Sequence, residues 1–250
     1  MPMLHSFLKP LYHDLKTLIL DTLFPIYCLA CEKENKGFLC ETCKPKLTCL
    51  PFQICIACHK MSIGGLTHPA CQTPHLPEGL ISIFDYSDEK VANILIKGKY
   101  SFLPNVYKEL GLIIANILKT DFPFLLQPTT YQPQPLLTPI PLHKWRQRWR
   151  GFNQSQILTQ TLAEQFNLLT SNVLVRKKFT RTQKDLKKED RIKNITSAFS
   201  LSPLFSKEGV RGSYILIDDV TTTGSTLLEA TKVLKRNGAK QVFCLTVARD

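Results

Sequence analysis

No apolar run in this chain approaches the length of about 20 residues that a membrane-spanning helix needs. The first 27 residues also lack a secretory leader's features: His13, Asp14, Lys16 and Asp21 interrupt the apolar stretch, and no small-residue cleavage site follows. Leu4, Phe7/Leu8, Leu11, Leu15, Leu18/Ile19 and Leu23 recur at helical spacing, which predicts an amphipathic helix over residues 1–24 and a cytoplasmic location. Acidic residues are scarce, with 20 Asp+Glu against 32 Lys+Arg and a net charge of +12. Residues 1–78 hold seven Lys and six acids, so nearly all the excess, +11, lies in residues 79–250. A basic surface there suits nucleic acid, a phosphorylated ligand or solubility. Cysteine is almost missing from that part too: eight of the nine lie between positions 28 and 71, and Cys244, in VFCLTV, reads as a small buried hydrophobe.

The clustered cysteines carry the first motif. CLAC (Cys28, Cys31) and CETC (Cys40, Cys43) form C-x2-C-x8-C-x2-C, a spacing at which two tight turns aim four sulfurs at one tetrahedral zinc ion. A disulfide framework is the alternative, and a cytoplasmic location argues against it. CIAC (Cys55, Cys58) followed by THPAC (His68, Cys71) gives C-x2-C-x9-H-x2-C, a second site with three thiolates and one imidazole. His59 and His75 are rivals for that fourth position, and Cys49 is left over. Neither set leaves an open coordination position, so both ions are structural, each contributing on the order of 10 kcal/mol to folding. Thiolates bound to Zn²⁺ turn the segment slightly negative, which favours a folding module over a nucleic-acid grip.

Pro74, Pro77 and Gly79 place a boundary in CQTPHLPEGL, so residues 25–76 form a zinc module and residues 77–250 a second domain. Beyond it the pattern alternates. The strand LISIFDY precedes a helix capped by Ser87. A second helix spans Leu103–Thr120, and a loop rich in Pro and Gln spans 121–135. The short strand LLTPIPL runs into the basic stretch HKWRQRWRGF. A helix Asn153–Phe166, a strand VLVRKK, a strand YILID, a helix Ser225–Arg236 stopped by Asn237-Gly238, and a strand QVFCLTVAR complete the order. Alternating strands and helices imply a mostly parallel sheet flanked by helices, with ligands beyond the C-terminal strand ends.

At one such end stands ILIDDVTTTGST. An apolar strand delivers Asp218 and Asp219, and Thr222, Thr223, Gly224, Ser225 and Thr226 lead into a helix. Helix N-terminal N–H groups and small hydroxyls suit a phosphate, and glycine permits close backbone approach. Two carboxylates beside a phosphate make sense if they bond a diol or hold a divalent cation. A sugar phosphate supplies both groups. The plainer alternative is an N-cap cluster at a solvated strand end.

This motif resembles the 5-phosphoribosyl 1-pyrophosphate site of type I phosphoribosyltransferases. LFPIYCLAC, TPIPLHKWRQRWRGFNQS, TQKDLKKEDRIKNITSAF and ILIDDVTTTGSTL ending in LTVAR together resemble the ComF family over residues 18–249. The resemblance implies an α/β, type I phosphoribosyltransferase fold joined to a small N-terminal double zinc ribbon. It implies that Asp218 and Asp219 contact the ribose hydroxyls at the catalytic centre and that Thr222–Thr226 hold the 5′-phosphate. Leu142–Lys144, including His143 and Lys144, would face the pyrophosphate, and Arg146–Asn153, including Arg150, would be a mobile loop closing over it. His68 departs from the family pattern, in which cysteine is common. Mg²⁺ would accompany the donor, and Lys144, Arg146, Arg148 and Arg150 could take charge from the leaving pyrophosphate.

No segment identifies an acceptor, and residue 2 is Pro rather than a glutaminase nucleophile. A second function class is single-stranded DNA binding. ComF-like proteins are associated with DNA uptake in natural competence, and here Arg146, Arg148 and Trp149, followed by Lys177 and Lys178 in a basic tract Arg176–Lys193, combine cations with an aromatic ring. A charged outer helix face is the alternative for that tract. A third class is a sensor that binds the donor without turnover.

Overall fold

Two long apolar runs, GSYILIDDVT and AKQVFCLTVAR, set the centre of the second half of the chain. A computed structural model describes residues 25–126, 134–177, 197–205 and 210–250. The chain divides into two compact units, Met1–Lys46 and Leu47–Asp250. The expected N-terminal helix over residues 1–24, Lys178 and most of the basic tract lie outside the described residues.

In the described part of the first unit, the CLAC knuckle turns back on itself. The Glu32 N–H donates to the Cys28 carbonyl at 2.8 Å, and the Cys28 N–H donates to Lys33 O at 2.8 Å. Glu32 takes a positive φ of 59° to close this turn. A short 3-10 turn, Lys44–Lys46, follows the second knuckle.

The second unit starts with two short strands, β1 (Gln53–Ile54) and β2 (Met61–Ser62), paired antiparallel around the CIAC knuckle. That knuckle repeats the first: the His59 N–H donates to Cys55 O at 2.9 Å, the Cys55 N–H to Lys60 O at 2.9 Å, and His59 has φ 60°. The following elements are β3 (Gly79–Asp85), α1 (Glu89–Tyr100), α2 (Pro104–Asp121), a short helix α3 (Pro123–Leu126) and β4 (Leu136–Pro139). Then come α4 (Lys144–Arg150), α5 (Gln154–Phe166), β5 (Leu174–Arg176), β6 (Phe199–Leu201), β7 (Gly212–Thr221), α6 (Ser225–Arg236) and β8 (Ala239–Arg249).

The main sheet has the order β3-β8-β7-β4, and every pair in it is parallel. This is the expected α/β architecture. Gly212–Ile217 and Val242–Ala248 are buried without interruption, because parallel strands covered on both faces cannot alternate apolar with polar residues. Tyr214 and Leu216 of β7 join Leu227, Ala230 and Leu234 of α6 in one core cluster. The alternate residues Ile215 and Ile217 point to the opposite face, where α5 packs on β4 and β7 and α2 packs on α5. Gly111 lets α2 approach α5: a Cβ there would lie 2.9 Å from Thr161 Cβ. Cys244 is fully buried, as expected, and burial pushes its thiol up to about 12.

Three local expectations change. Asp88, not Ser87, caps α1; its carboxylate accepts from Lys90 N at 2.9 Å and is itself held by Thr48 Oγ1 at 2.7 Å, a partner 40 residues upstream. The loop over 121–135 begins with a helical turn, α3. The stretch read as a mobile loop, Arg146–Asn153, is helical through Arg150, because His143 Nδ1 accepts from Trp145 N at 3.3 Å as an N-cap and Gly151, at φ 79°, ends the helix.

Candidate ligand and metal sites

β7 carries its apolar run straight into Asp218 and Asp219 at its C-terminal end, and α5 brings Gln154 and Ser155 beside them. Asp218 Oδ1 accepts from Ser155 Oγ at 2.9 Å and from the Asp219 N–H at 2.9 Å. Asp219 Oδ2 pairs with Lys99 Nζ at 2.5 Å and accepts from Gln154 Nε2 at 3.3 Å. Gln154 Oε1 in turn accepts from Arg150 Nη1 at 2.7 Å. The result is a buried relay from guanidinium through amide to carboxylate and ammonium. Asp219 and Arg150 are only 5% and 8% exposed. Burial, reinforced by the neighbouring Asp219 charge, pushes the Asp218 carboxyl up to about 7.

Lys99, Arg150, Gln154, Asp218 and Asp219 line a cleft of about 270 Å³. Arg146 and Arg150, one turn apart on α4, reach into it from one side, and Arg176, at the end of β5, contributes a third guanidinium. Burial and the charge of Arg150 lower the Arg146 pKa, and burial with the charge of Arg146 lowers Arg176 to about 10. Arg150 Nε is buried without a hydrogen-bond partner. Three guanidiniums at one cleft, with a buried Arg150 Nε that no hydrogen bond satisfies, favour an anion in the space between them. Across the cleft, Thr222 and Thr226 form part of the wall, while Thr223, Gly224 and Ser225 line an adjoining hollow with Asp218. Gly224 adopts φ 72° as N-cap of α6, a helix of 12 residues whose first turn has N–H groups without intrahelical acceptors. Thr223 Oγ1 donates to Ser225 Oγ at 3.1 Å, tightening the loop.

The geometry therefore gathers Asp218, Asp219, Thr222, Thr226, Arg146 and Arg150 at one cleft, with Thr223, Gly224 and Ser225 in the hollow beside it. His143 and Lys144 are not among its lining residues; His143 instead caps α4. Arg148 and Lys177 are exposed outside it. Trp149 is 49% exposed and meets Tyr100 and Phe102 edge-on, with centroids 6.1 and 5.5 Å away. Lys99, Gln154 and Ser155 had no assigned role in the sequence, and Arg176 entered only as the first residue of the basic tract Arg176–Lys193. A signal existed for two of them: Gln154 lies four residues before Leu158 and eight before Leu162 on the apolar face of α5, and Lys99 lies four after Leu95 on that of α1.

The cysteine pattern closes into two quartets. Donor atoms of Cys28, Cys31, Cys40 and Cys43 lie within 4.8 Å of one another, as do those of Cys55, Cys58, His68 and Cys71. His68 rather than the exposed His59 or His75 completes the second set. Its Nε2–H donates to Met61 O at 3.0 Å, which leaves Nδ1, 3.4 Å from Cys58 Sγ, free to ligate. Burial alone would raise the Cys55 and Cys28 thiols, but backbone N–H groups outweigh it and lower them to about 7 and about 6. Both donor sets fit a tetrahedral thiophilic cation. Among the described residues no helix is long and apolar enough to cross a membrane.

No family model matches the chain. DNA utilization protein YhgH of Escherichia coli strain K12 is 30% identical over 227 residues, covering 83% of this chain and 96% of that protein. Competence protein F of Haemophilus influenzae is 38% identical over 114 residues, 45% of this chain and 49% of that protein. Competence protein ComFC of Bacillus subtilis is 26% identical over 223 residues, 85% of this chain and 84% of that protein. Among solved structures, adenine phosphoribosyltransferase from Leishmania tarentolae aligns with 64% of this chain and 75% of its own, at 12% identity and a TM-score of 0.34. The enzyme from Trypanosoma brucei, solved with AMP, pyrophosphate and ribose-5-phosphate, aligns with 64% and 68% at 13% identity and a TM-score of 0.32.

Proposed function

This chain belongs to the ComF family of competence and DNA-utilization proteins, and we propose that it serves DNA uptake by binding 5-phosphoribosyl 1-pyrophosphate in the β7 cleft. The observation that carries this reading is the meeting of an acidic pair, a Thr/Gly loop at a helix start and three guanidiniums around one cavity. Asp218 and Asp219 accept hydrogen bonds from the ribose diol. Thr222–Thr226 hold the 5′-phosphate, and Arg146, Arg150 and Arg176 take the pyrophosphate. Mg²⁺, bound with the donor, would neutralise pyrophosphate charge. Transfer to an acceptor would break the C1–O bond and leave pyrophosphate among these guanidiniums, where its growing charge is stabilised. Zinc in the two quartets supplies folding free energy rather than chemistry.

The test is calorimetric titration of the zinc-loaded protein with donor and Mg²⁺, beside Asp218→Asn/Asp219→Asn. Binding should vanish in the variant; pyrophosphate release with a candidate acceptor then separates an enzyme from a sensor.

A second reading rests on the half-exposed aromatic cluster Tyr100, Phe102 and Trp149 beside Arg146 and Arg148. It offers a stacking platform with neighbouring cations, suited to single-stranded DNA. Tyr100 belongs both to this cluster and to the cleft wall, so a strand on the platform and a donor in the cleft would compete or cooperate. Replacing Trp149 by Ala should weaken strand binding by about 1–3 kcal/mol, and unchanged binding in a fluorescence anisotropy titration would remove this reading.

A further inference from the structure

The CIAC knuckle has two faces. Cys55 and Cys58 point to the second donor quartet, and Ile56 between them points the other way, into the core. Ile56 is 1% exposed and packs in one cluster with Leu80, Leu216 and Leu227. It lies directly against the start of α6: a Cβ built on Gly224 would sit 2.9 Å from Ile56 Cγ1 and 3.2 Å from Cδ1. The residue that closes the Thr-rich loop therefore rests on a side chain whose two neighbours in sequence are a thiol ligand and an alanine. The other anchor of this segment is Gln53, whose amide donates to Ser82 O and accepts from Ser82 N, both at 2.9 Å, fixing β1 to β3 on one side of the knuckle. On the other side, the Cys55 N–H donates to Lys60 O at 2.9 Å and β2 pairs with β1, and the quartet adds a further anchor, where the His68 N–H donates to Cys55 Sγ at 3.5 Å.

We infer that Ile56 is a positioning residue for the phosphate loop, and that metal in the Cys55/Cys58/His68/Cys71 site braces that loop through it. With the cation bound, four ligands hold the knuckle and Ile56 forms a fixed floor under Gly224. Without it, the knuckle keeps the Gln53 anchor and the β1–β2 pairing but loses the bonds that fix Cys55 and Cys58 on either side of Ile56, and the loop it supports loosens. Packed side chains transmit such a shift because interiors have little free space to absorb it. The second metal site would thus set ligand affinity at a place its ion never touches, whereas the first quartet, in the other compact unit, would not. The affinity part rests on the proposed donor site; the bracing part does not.

Four full-length proteins separate these claims: wild type, Cys58→Ser, Cys31→Ser as a control in the first quartet, and Ile56→Val as a mild change that keeps the knuckle. Each is measured by zinc content, by amide hydrogen exchange, and by calorimetry with 5-phosphoribosyl 1-pyrophosphate and Mg²⁺. In Cys58→Ser, exchange over residues 222–227 should rise at least tenfold while β8 amides keep their protection, and donor affinity should fall about tenfold or more. Ile56→Val should move the same two readouts by about threefold with zinc content unchanged. Cys31→Ser should leave both near wild type. Unchanged loop exchange in a folded, zinc-depleted Cys58→Ser protein would overturn the inference, as would equal loss of protection across loop and β8. If the wild type binds no donor, the exchange readout still decides the bracing, so failure of the donor reading is told apart from failure of this one.

Discussion

Asp218 is the residue whose titration exposes the site to a direct test. Its carboxyl is pushed up to about 7 by burial and by Asp219, above the ordinary carboxylate value. A raised folded-state pKa means a stability contribution that is present at low pH and lost as pH rises through about 7. Asp218→Asn removes that penalty while keeping an oxygen for Ser155 Oγ. Its unfolding free energy from urea titration should match wild type near pH 4 and exceed it at pH 8 by on the order of 1–2 kcal/mol; equal values at both pH would contradict the assigned environment. Lys99 makes the opposite case. Its ammonium compensates Asp219, a carboxylate 5% exposed. Lys99→Met should cost about 1–3 kcal/mol in urea unfolding, since it leaves that charge with uncharged partners. The acidic pair itself was legible in ILIDDVTTTGST. Lys99 and Gln154 were legible only in part: spacing puts each on an otherwise apolar helix face, which marks burial but names no partner.

At the scale of elements, α4 does what a loop was expected to do. His143 as N-cap and Gly151 as terminator make HKWRQRWR helical, and the helix period then sorts its cations. Arg146 and Arg150 face the cleft, and Arg148 faces solvent. Arg150→Ala should therefore weaken donor binding at least tenfold, and Arg148→Ala should leave it within about twofold, a contrast read by titration calorimetry. Equal losses would mean that a diffuse basic field, not a pocket, attracts the ligand. Composition concealed this split because four cations in seven residues read as one patch; the local capping signals, His143 and Gly151, carried the information that divides them. The β-strands were more legible. YILID and QVFCLTVAR are continuous apolar runs, and such runs form parallel strands covered on both faces.

For the whole molecule, the two cysteine quartets were readable from spacing, while the docking of the second knuckle was not. Gln53 grips Ser82 across 29 residues of sequence, and Ile56 meets Gly224 across a far longer separation; no local period announces either contact. Metal removal should accordingly do more than unfold a small module. Chelation is expected to lower the unfolding temperature of the zinc-loaded protein markedly, since each site supplies on the order of 10 kcal/mol; an unchanged transition in a scanning calorimeter would mean the quartets hold no structural ion. The central claim, though, concerns the cleft at the end of β7, and one titration reaches it most directly. Zinc-loaded protein is mixed with 5-phosphoribosyl 1-pyrophosphate and Mg²⁺ in a calorimeter, beside Asp218→Asn/Asp219→Asn. Saturable heat in the wild type that disappears in the folded variant is the predicted result. Equal heats in both proteins, or none in a folded wild type, would contradict it.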